Sequence, residues 1–137
     1  MRLIVAAGGP DPLQLPGNTK ICIIPFMTDA KPIKFCGSSL DDLREFPLSA
    51  RRDAGHQLDQ IPRGREADDW KPMSTVGQGA REIRIRDVSG AFRIVYLAKL
   101  GDAVYVLHCF QKKTQKTSKA DLDLATKRYR ELKEVKR

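Results

Sequence analysis

Two short turns inside residues 81–110 constrain this chain more than any other feature. Arg81 to Arg86 alternates strictly, with Ile83 and Ile85 on one side and Glu82, Arg84 and Arg86 on the other, the period of a half-buried strand. Asp87 to Gly90 reads as a turn. Phe92 to Lys99 is rich in β-branched and aromatic residues, Gly101-Asp102 reads as a second turn, and Ala103 to Phe110 is apolar at both parities. A strand apolar on both faces belongs in the middle of a sheet. Connections this short join antiparallel neighbours only, so residues 81–110 are predicted to form a three-stranded meander.

The segments on either side supply the helices. Ile33 to Cys36 is a short strand candidate that Gly37-Ser38-Ser39 ends, and Ser39 with Asp42 three positions on resembles a capping arrangement. Leu40, Leu43 and Phe46 mark one face of a short helix. Pro47 suits the first turn of a second helix, whose stripe is Ala50, Ala54, Leu58 and Ile61 and which Pro62 and Gly64 stop. The two make a helix hairpin. Residues 64–79 are polar and Gly-rich, a long loop whose Trp70 packs back on the core. Ser118 is a good N-cap for a last helix, with Asp121 and Asp123 in its first turn and Leu124, Ala125, Leu132 and Val135 as a broken apolar stripe. The order strand, helix, helix, three strands, helix predicts an α+β fold: a small antiparallel sheet, the early strand at its edge, the helices on one face. Residues 1–30 hold Pro10, Pro12, Pro16 and Pro25, few charges and no sustained period, although Ile21 to Ile24 suits a short strand. They read as a poorly patterned extension to a domain spanning 31–137, and Met27 as the biological start is a corollary of that division.

Composition narrows the function classes. No apolar run approaches the roughly 20 residues that span a bilayer, and Gly8, Gly9 and Pro10 break the brief Leu3–Ala7 run too early for a secretory signal. Cys22, Cys36 and Cys109 are widely separated, which argues against a zinc ribbon or a disulfide framework and for a reducing, cytoplasmic home. With two histidines and no His/Cys cluster, neither a metal nor a cofactor is expected. The net charge is +8, and because Arg2 and Lys20 cancel Asp11 and Asp29, all of the excess lies beyond residue 30. Such a domain attracts polyanions, nucleic acid first; simple solubility is the alternative.

Arg84 and Arg86 share one strand face, about 6 to 7 Å apart, a spacing close to that of backbone phosphates, and guanidinium forks suit phosphate oxygens. A solvated sheet face would look the same. Arg93 interrupts the apolar run Phe92-Arg93-Ile94-Val95-Tyr96, where a charge is costly unless it is paired or faces a site. His108 sits within Val106-Leu107-His108-Cys109-Phe110, either as a hydrogen-bonded core residue or as an acid–base group. Lys112, Lys113, Lys116 and Lys119 then run from the strand end to a helix N-cap, a plausible phosphate corner or a flexible charged loop.

In that order, Gly79-Ala80-Arg81-Glu82-Ile83-Arg84, Phe92-Arg93-Ile94-Val95-Tyr96 and Leu107-His108-Cys109-Phe110-Gln111-Lys112-Lys113-Thr114-Gln115-Lys116-Thr117 resemble the phage-derived, HigB-like branch of the RelE/ParE superfamily. The final helix with Ala125 and Arg128 resembles it too, and the likeness covers about residues 31–137. The resemblance implies a RelE-like fold, a toxin that cleaves mRNA in the ribosomal A site, and a small helix-turn-helix antitoxin as partner. By matching motif positions it implies Arg84, Arg93, Lys112 and Lys113 as catalytic, with His108; Arg81 and Arg86 of the basic strand and Lys116 and Lys119 of the Lys-rich corner are the RNA-binding candidates. Metal-free RNA cleavage needs a base for the 2′-OH proton, an acid for the leaving oxygen and cations for the phosphorane. Arg84 and Arg93 suit the cations, His108 or a Lys with lowered pKa the proton transfers. Tyr96 is a further acid candidate, or a core residue, and Glu82 a base, or the partner of an adjacent Arg. Two other readings stay open: a non-enzymatic inhibitor of DNA gyrase, as in the ParE-like branch, and a nucleic-acid-binding module without catalysis.

Overall fold

The computed structural model describes residues 13–14, 20–24, 32–100, 103–113 and 116–135. They form strands β1 (Leu13–Gln14), β2 (Lys20–Ile24), β3 (Ile33–Cys36), β4 (Trp70–Pro72), β5 (Ala80–Asp87), β6 (Gly90–Leu100) and β7 (Ala103–Lys112), and helices α1 (Ser39–Arg44), α2 (Leu48–Gln60) and α3 (Lys119–Val135). The sheet order is β1-β2-β3-β7-β6-β5-β4. The expected meander is present, with Arg84 opposite Arg93 and Arg93 opposite Phe110. The fold is α+β, and its sheet is mixed, because β3 runs parallel to β7.

Three details differ from the sequence expectation. The strand Ile33–Cys36 is not an edge strand: β2 pairs antiparallel with its outer side. The helices do not share one face. Leu40, Leu43, Ala50, Ala54 and Leu58 of the hairpin pack against Ile83, Ile85, Ile94 and Val106, whereas Ala125 and Leu132 of α3 pack against Val95, Leu97, Tyr105 and Leu107. The reason lies in β6 and β7, apolar at both parities, which expose two apolar faces that each need a cover. Each fully buried Leu or Ile contributes roughly 1.5 to 3 kcal/mol. Finally, Ser39 is not the cap of α1. Ser38 holds that place, its hydroxyl donating to Asp42 at 2.9 Å, and Ser39 is buried, donating to the Val106 carbonyl at 3.2 Å.

The 64–79 loop contains β4, which pairs with β5 by placing Trp70 opposite Ile83 and Lys71 opposite Glu82. Three residues ending in proline carry little strand signal, and proline is tolerated here because β4 is the edge. Trp70 packs partly buried on the core as expected. Ser118 caps α3, its Oγ accepting the Asp121 N–H at 3.1 Å. The expected division at residue 30 and the expected start at Met27 fall largely on residues outside those described.

Candidate functional site

Strand register sets the site. On the sheet face that α3 partly covers, three rows run across the strands: Lys71, Glu82, Val95 and His108; then Arg84, Arg93 and Phe110; then Arg86, Ala91 and Lys112. Helix α3 packs over the β6 end marked by Val95 and Leu97. The end carrying Arg84, Arg86 and Lys112 is left at least partly accessible.

Glu82 and Arg93 lie at the bottom of this cluster, 0% and 5% exposed. Arg93 Nε is 3.6 Å and Lys71 Nζ 3.7 Å from Glu82 Oε1, and the Thr117 hydroxyl donates to Oε2 at 3.5 Å. A buried carboxylate is tolerable only with such counter-charges. Arg93 also donates from Nη1 to the Phe92 carbonyl at 3.0 Å. Even so, donor capacity is left over: Arg84 Nε is buried with no hydrogen-bond partner among the described residues, whereas Arg93 Nε faces Glu82 Oε1 at a distance beyond a hydrogen bond. Burial lowers the Arg93 pKa against the pull of Glu82, yet a guanidinium stays charged. Burial, then repulsion from Arg93, also holds Lys112 below the ordinary lysine range. The arrangement can take up an anion between Arg84, Arg93 and Lys112.

His108 belongs to a different environment. It is buried, its Nε2 lies 2.7 Å from Asp121 Oδ1, and its ring stacks on Phe110 with centroids 4.9 Å apart. Ser118 Oγ donates to the other Asp121 oxygen at 2.7 Å, so the cap of α3 fixes the carboxylate that fixes the histidine. Desolvation lowers the His108 pKa despite Asp121, so the neutral ring donates through Nε2–H and leaves Nδ1 buried without a partner among the described residues. It shares a row with Glu82 two strands away, roughly 10 Å from two ladder spacings of about 4.8 Å.

The remaining candidates divide. Arg86 is exposed on the Arg84 face, one row further. Arg81 points to the opposite face, where it stacks 4.1 Å over the Trp70 ring and meets Glu66 at 3.5 Å. Tyr96 is fully buried on that same opposite face, and burial raises its pKa. Lys113 is exposed and lines a cleft beside α1, while Lys116 and Lys119 are exposed on the loop and at the start of α3. Sequence reasoning missed Lys71 and the pairing of Asp121 with His108. Lys71 carries no signal because residues 64–79 are polar and Gly-rich like a loop, and the helix dipole alone explains an Asp in the first turn of α3. The buried Cys36 and Cys109 thiols are held in their protonated form: burial pushes Cys36 up to about 12 and Cys109 higher still. Among the described residues no group of three or more His, Cys, Asp or Glu is placed to hold a metal, and no helix is long and apolar enough to cross a membrane.

Fold and cluster together define a small α+β protein with a cationic site on one half of an open sheet face. The family model described as "Phage derived protein Gp49-like" matches residues 41–130, well over half of the chain and all of the cluster. The chain belongs to this Gp49-like, phage-derived family. No curated protein matches it.

Proposed function

We propose that the chain is the toxin of a type II toxin–antitoxin pair and that it cleaves mRNA on the ribosome. The observation that carries this reading is the direct cross-strand pair Arg84–Arg93, in which Arg84 Nε is buried without a hydrogen-bond partner among the described residues. Like charges set opposite one another in a sheet repel. Their retention around a single buried carboxylate makes sense if a scissile phosphate completes the charge balance. Arg84 and Arg93 then stabilise the crowded phosphorane as the ribose 2′-OH attacks, and Lys112, its pKa lowered, is the group best suited to move a proton at the leaving oxygen. Glu82, fully buried, orients Arg93 rather than serving as base. His108, held by Asp121, orders the start of α3 beside the cluster. A helix-turn-helix antitoxin would silence the site by covering this cationic surface or the hairpin α1–α2.

Arg93→Ala is a compound test, because it also strands Glu82 without its nearest cation. Arg84→Ala combined with Lys112→Ala leaves that pair intact. Primer extension on translated mRNA is expected to show ribosome-dependent cleavage by the wild type and a loss of at least about 100-fold in the double variant, in line with removing a transition-state donor. Undiminished cleavage by a folded double variant overturns the assignment of the cluster. Inhibition of DNA supercoiling without RNA cleavage overturns the nuclease reading in favour of a gyrase inhibitor.

A further inference from the structure

Edge strand β4 brings a cation to the cluster that the catalytic assignment leaves without a task. Lys71 stands opposite Glu82, on the sheet face that Arg84 and Arg93 share. Its Nζ lies 3.7 Å from Glu82 Oε1, and Arg93 Nε lies 3.6 Å from that same atom. Thr117 holds the other carboxylate oxygen, Oε2, at 3.5 Å. The Lys71 side chain is 39% exposed, whereas those of Arg93 and Glu82 are 6% and 0% exposed. Burial first, then Arg93, holds Lys112 below the ordinary lysine range; Lys71 adds to this against Glu82, so its charge is felt across the cluster.

The two distances are long for a buried ion pair. An arginine facing a buried carboxylate by itself closes on it with hydrogen bonds of roughly 2.7 to 2.9 Å, often two in parallel. Here Glu82 Oε1 has no hydrogen-bond partner among the described residues, so the Arg93 fork has not closed. One cation is also enough to neutralise one carboxylate. A second, at nearly the same distance from the same oxygen, draws it the other way. Neutralising Glu82 does not require Lys71, whose long stem at a sheet edge could carry the ammonium into water instead. We propose that Lys71 is a positioning residue of the phosphate site: it shares Glu82 with Arg93, keeps the carboxylate from closing on the guanidinium, and so leaves Arg93 with charge and N–H groups for an RNA phosphate. The inference rests on the reading of the cluster as an RNA site and adds the residue that keeps its deepest cation available. Glu82 makes a buried Arg93 tolerable, and Lys71 prevents that same carboxylate from occupying it fully.

The test is a double-mutant cycle on the full chain, read by binding of a non-cleavable 2′-O-methyl RNA. Lys71→Gln is expected to weaken binding at least about ten-fold, the order of one hydrogen bond to a charged group. Lys71→Arg is expected to restore most of that loss, because a guanidinium can share the carboxylate as the ammonium does. In the Glu82→Gln background, Lys71→Gln is expected to cost less than about two-fold, since no carboxylate is left to close on Arg93. Equal losses in both backgrounds would show Lys71 acting on the RNA directly and overturn the proposal. So does a salt slope that Lys71→Gln makes shallower by about 0.7, the mark of a lost phosphate contact. A further measurement needs no RNA and only the half-exposed Lys71 changed. The Arg93 Nε–H signal in NMR is expected to exchange with solvent more slowly in Lys71→Gln than in the wild type, because the fork has closed on Glu82. An unchanged signal sinks the sharing of Glu82 even where RNA binds. A slowed signal in a chain whose wild type binds no RNA upholds the sharing and sinks the RNA reading, so the two ideas fail separately.

Discussion

Arg84 and Arg93 face one another across β5 and β6, with Glu82 beneath them and Lys71 beyond it. Alternation in Arg81–Arg86 placed Arg84 and Arg86 together from sequence alone, and an arginine inside an apolar strand marked Arg93. The depth of Arg93 and the counter-charge from Glu82 could not be read that way, because they depend on register between strands. His108 shows the same limit: its position was visible, its carboxylate partner thirteen residues on was not. Its neutral state has a measurable consequence. The folded pKa lies below the unfolded value of about 6.5. The folded chain therefore takes up its proton later than the unfolded chain as pH falls. The associated stability is present in full above about pH 6.5 and is lost as the pH drops toward the lower folded value. Urea unfolding at pH 7.5 and pH 5 is expected to show stability falling more steeply in the wild type than in His108→Gln, which keeps a donor for Asp121 but cannot titrate. Equal slopes would mean that Asp121 fully offsets the desolvation.

At the scale of elements, α3 decides which part of the sheet stays open. Its position is set by buried Arg128, which donates to the Leu107 carbonyl at 2.8 Å and to Ser38 Oγ at 3.0 Å. Leu107 has no opposite residue, because Val95 pairs with His108 and Tyr96 with Val106. Arg128 thus satisfies a carbonyl at a β-bulge, and it packs against Gly37, whose φ of +57° and lack of a side chain let the guanidinium approach. Arg128→Ala is expected to cost about 2 to 4 kcal/mol in denaturant unfolding, from lost charged hydrogen bonds and an unpaired buried carbonyl. A change under 1 kcal/mol would show that α3 is held by Ala125 and Leu132 alone. The helix itself was legible from Ser118 and its acidic first turn. Its choice of face was not, since a stripe states that a helix must be covered and not by which side of a two-faced sheet.

For the whole molecule, the +8 charge and the cationic half-face lead to a salt test. Binding of a non-cleavable 2′-O-methyl RNA, followed by fluorescence anisotropy, is expected to weaken with salt at a log–log slope near −2, from about −0.7 per phosphate and the three cations Arg84, Arg93 and Lys112. Arg84→Ala is expected to make the slope shallower by about 0.7. A slope near zero would remove the polyanion from the picture. By itself the sequence determined the meander, the helix hairpin, the capped last helix and the cationic residue types, because turn chemistry, period and capping act over a few neighbouring positions. Only the tertiary structure decided the parallel pairing of β3 with β7, the opposite faces taken by α1–α2 and α3, and the meeting of Lys71, Glu82, Arg84, Arg93 and Lys112. Those outcomes depend on pairing between residues far apart in the chain, where burial of two sheet faces and the neutralisation of a buried carboxylate are settled together.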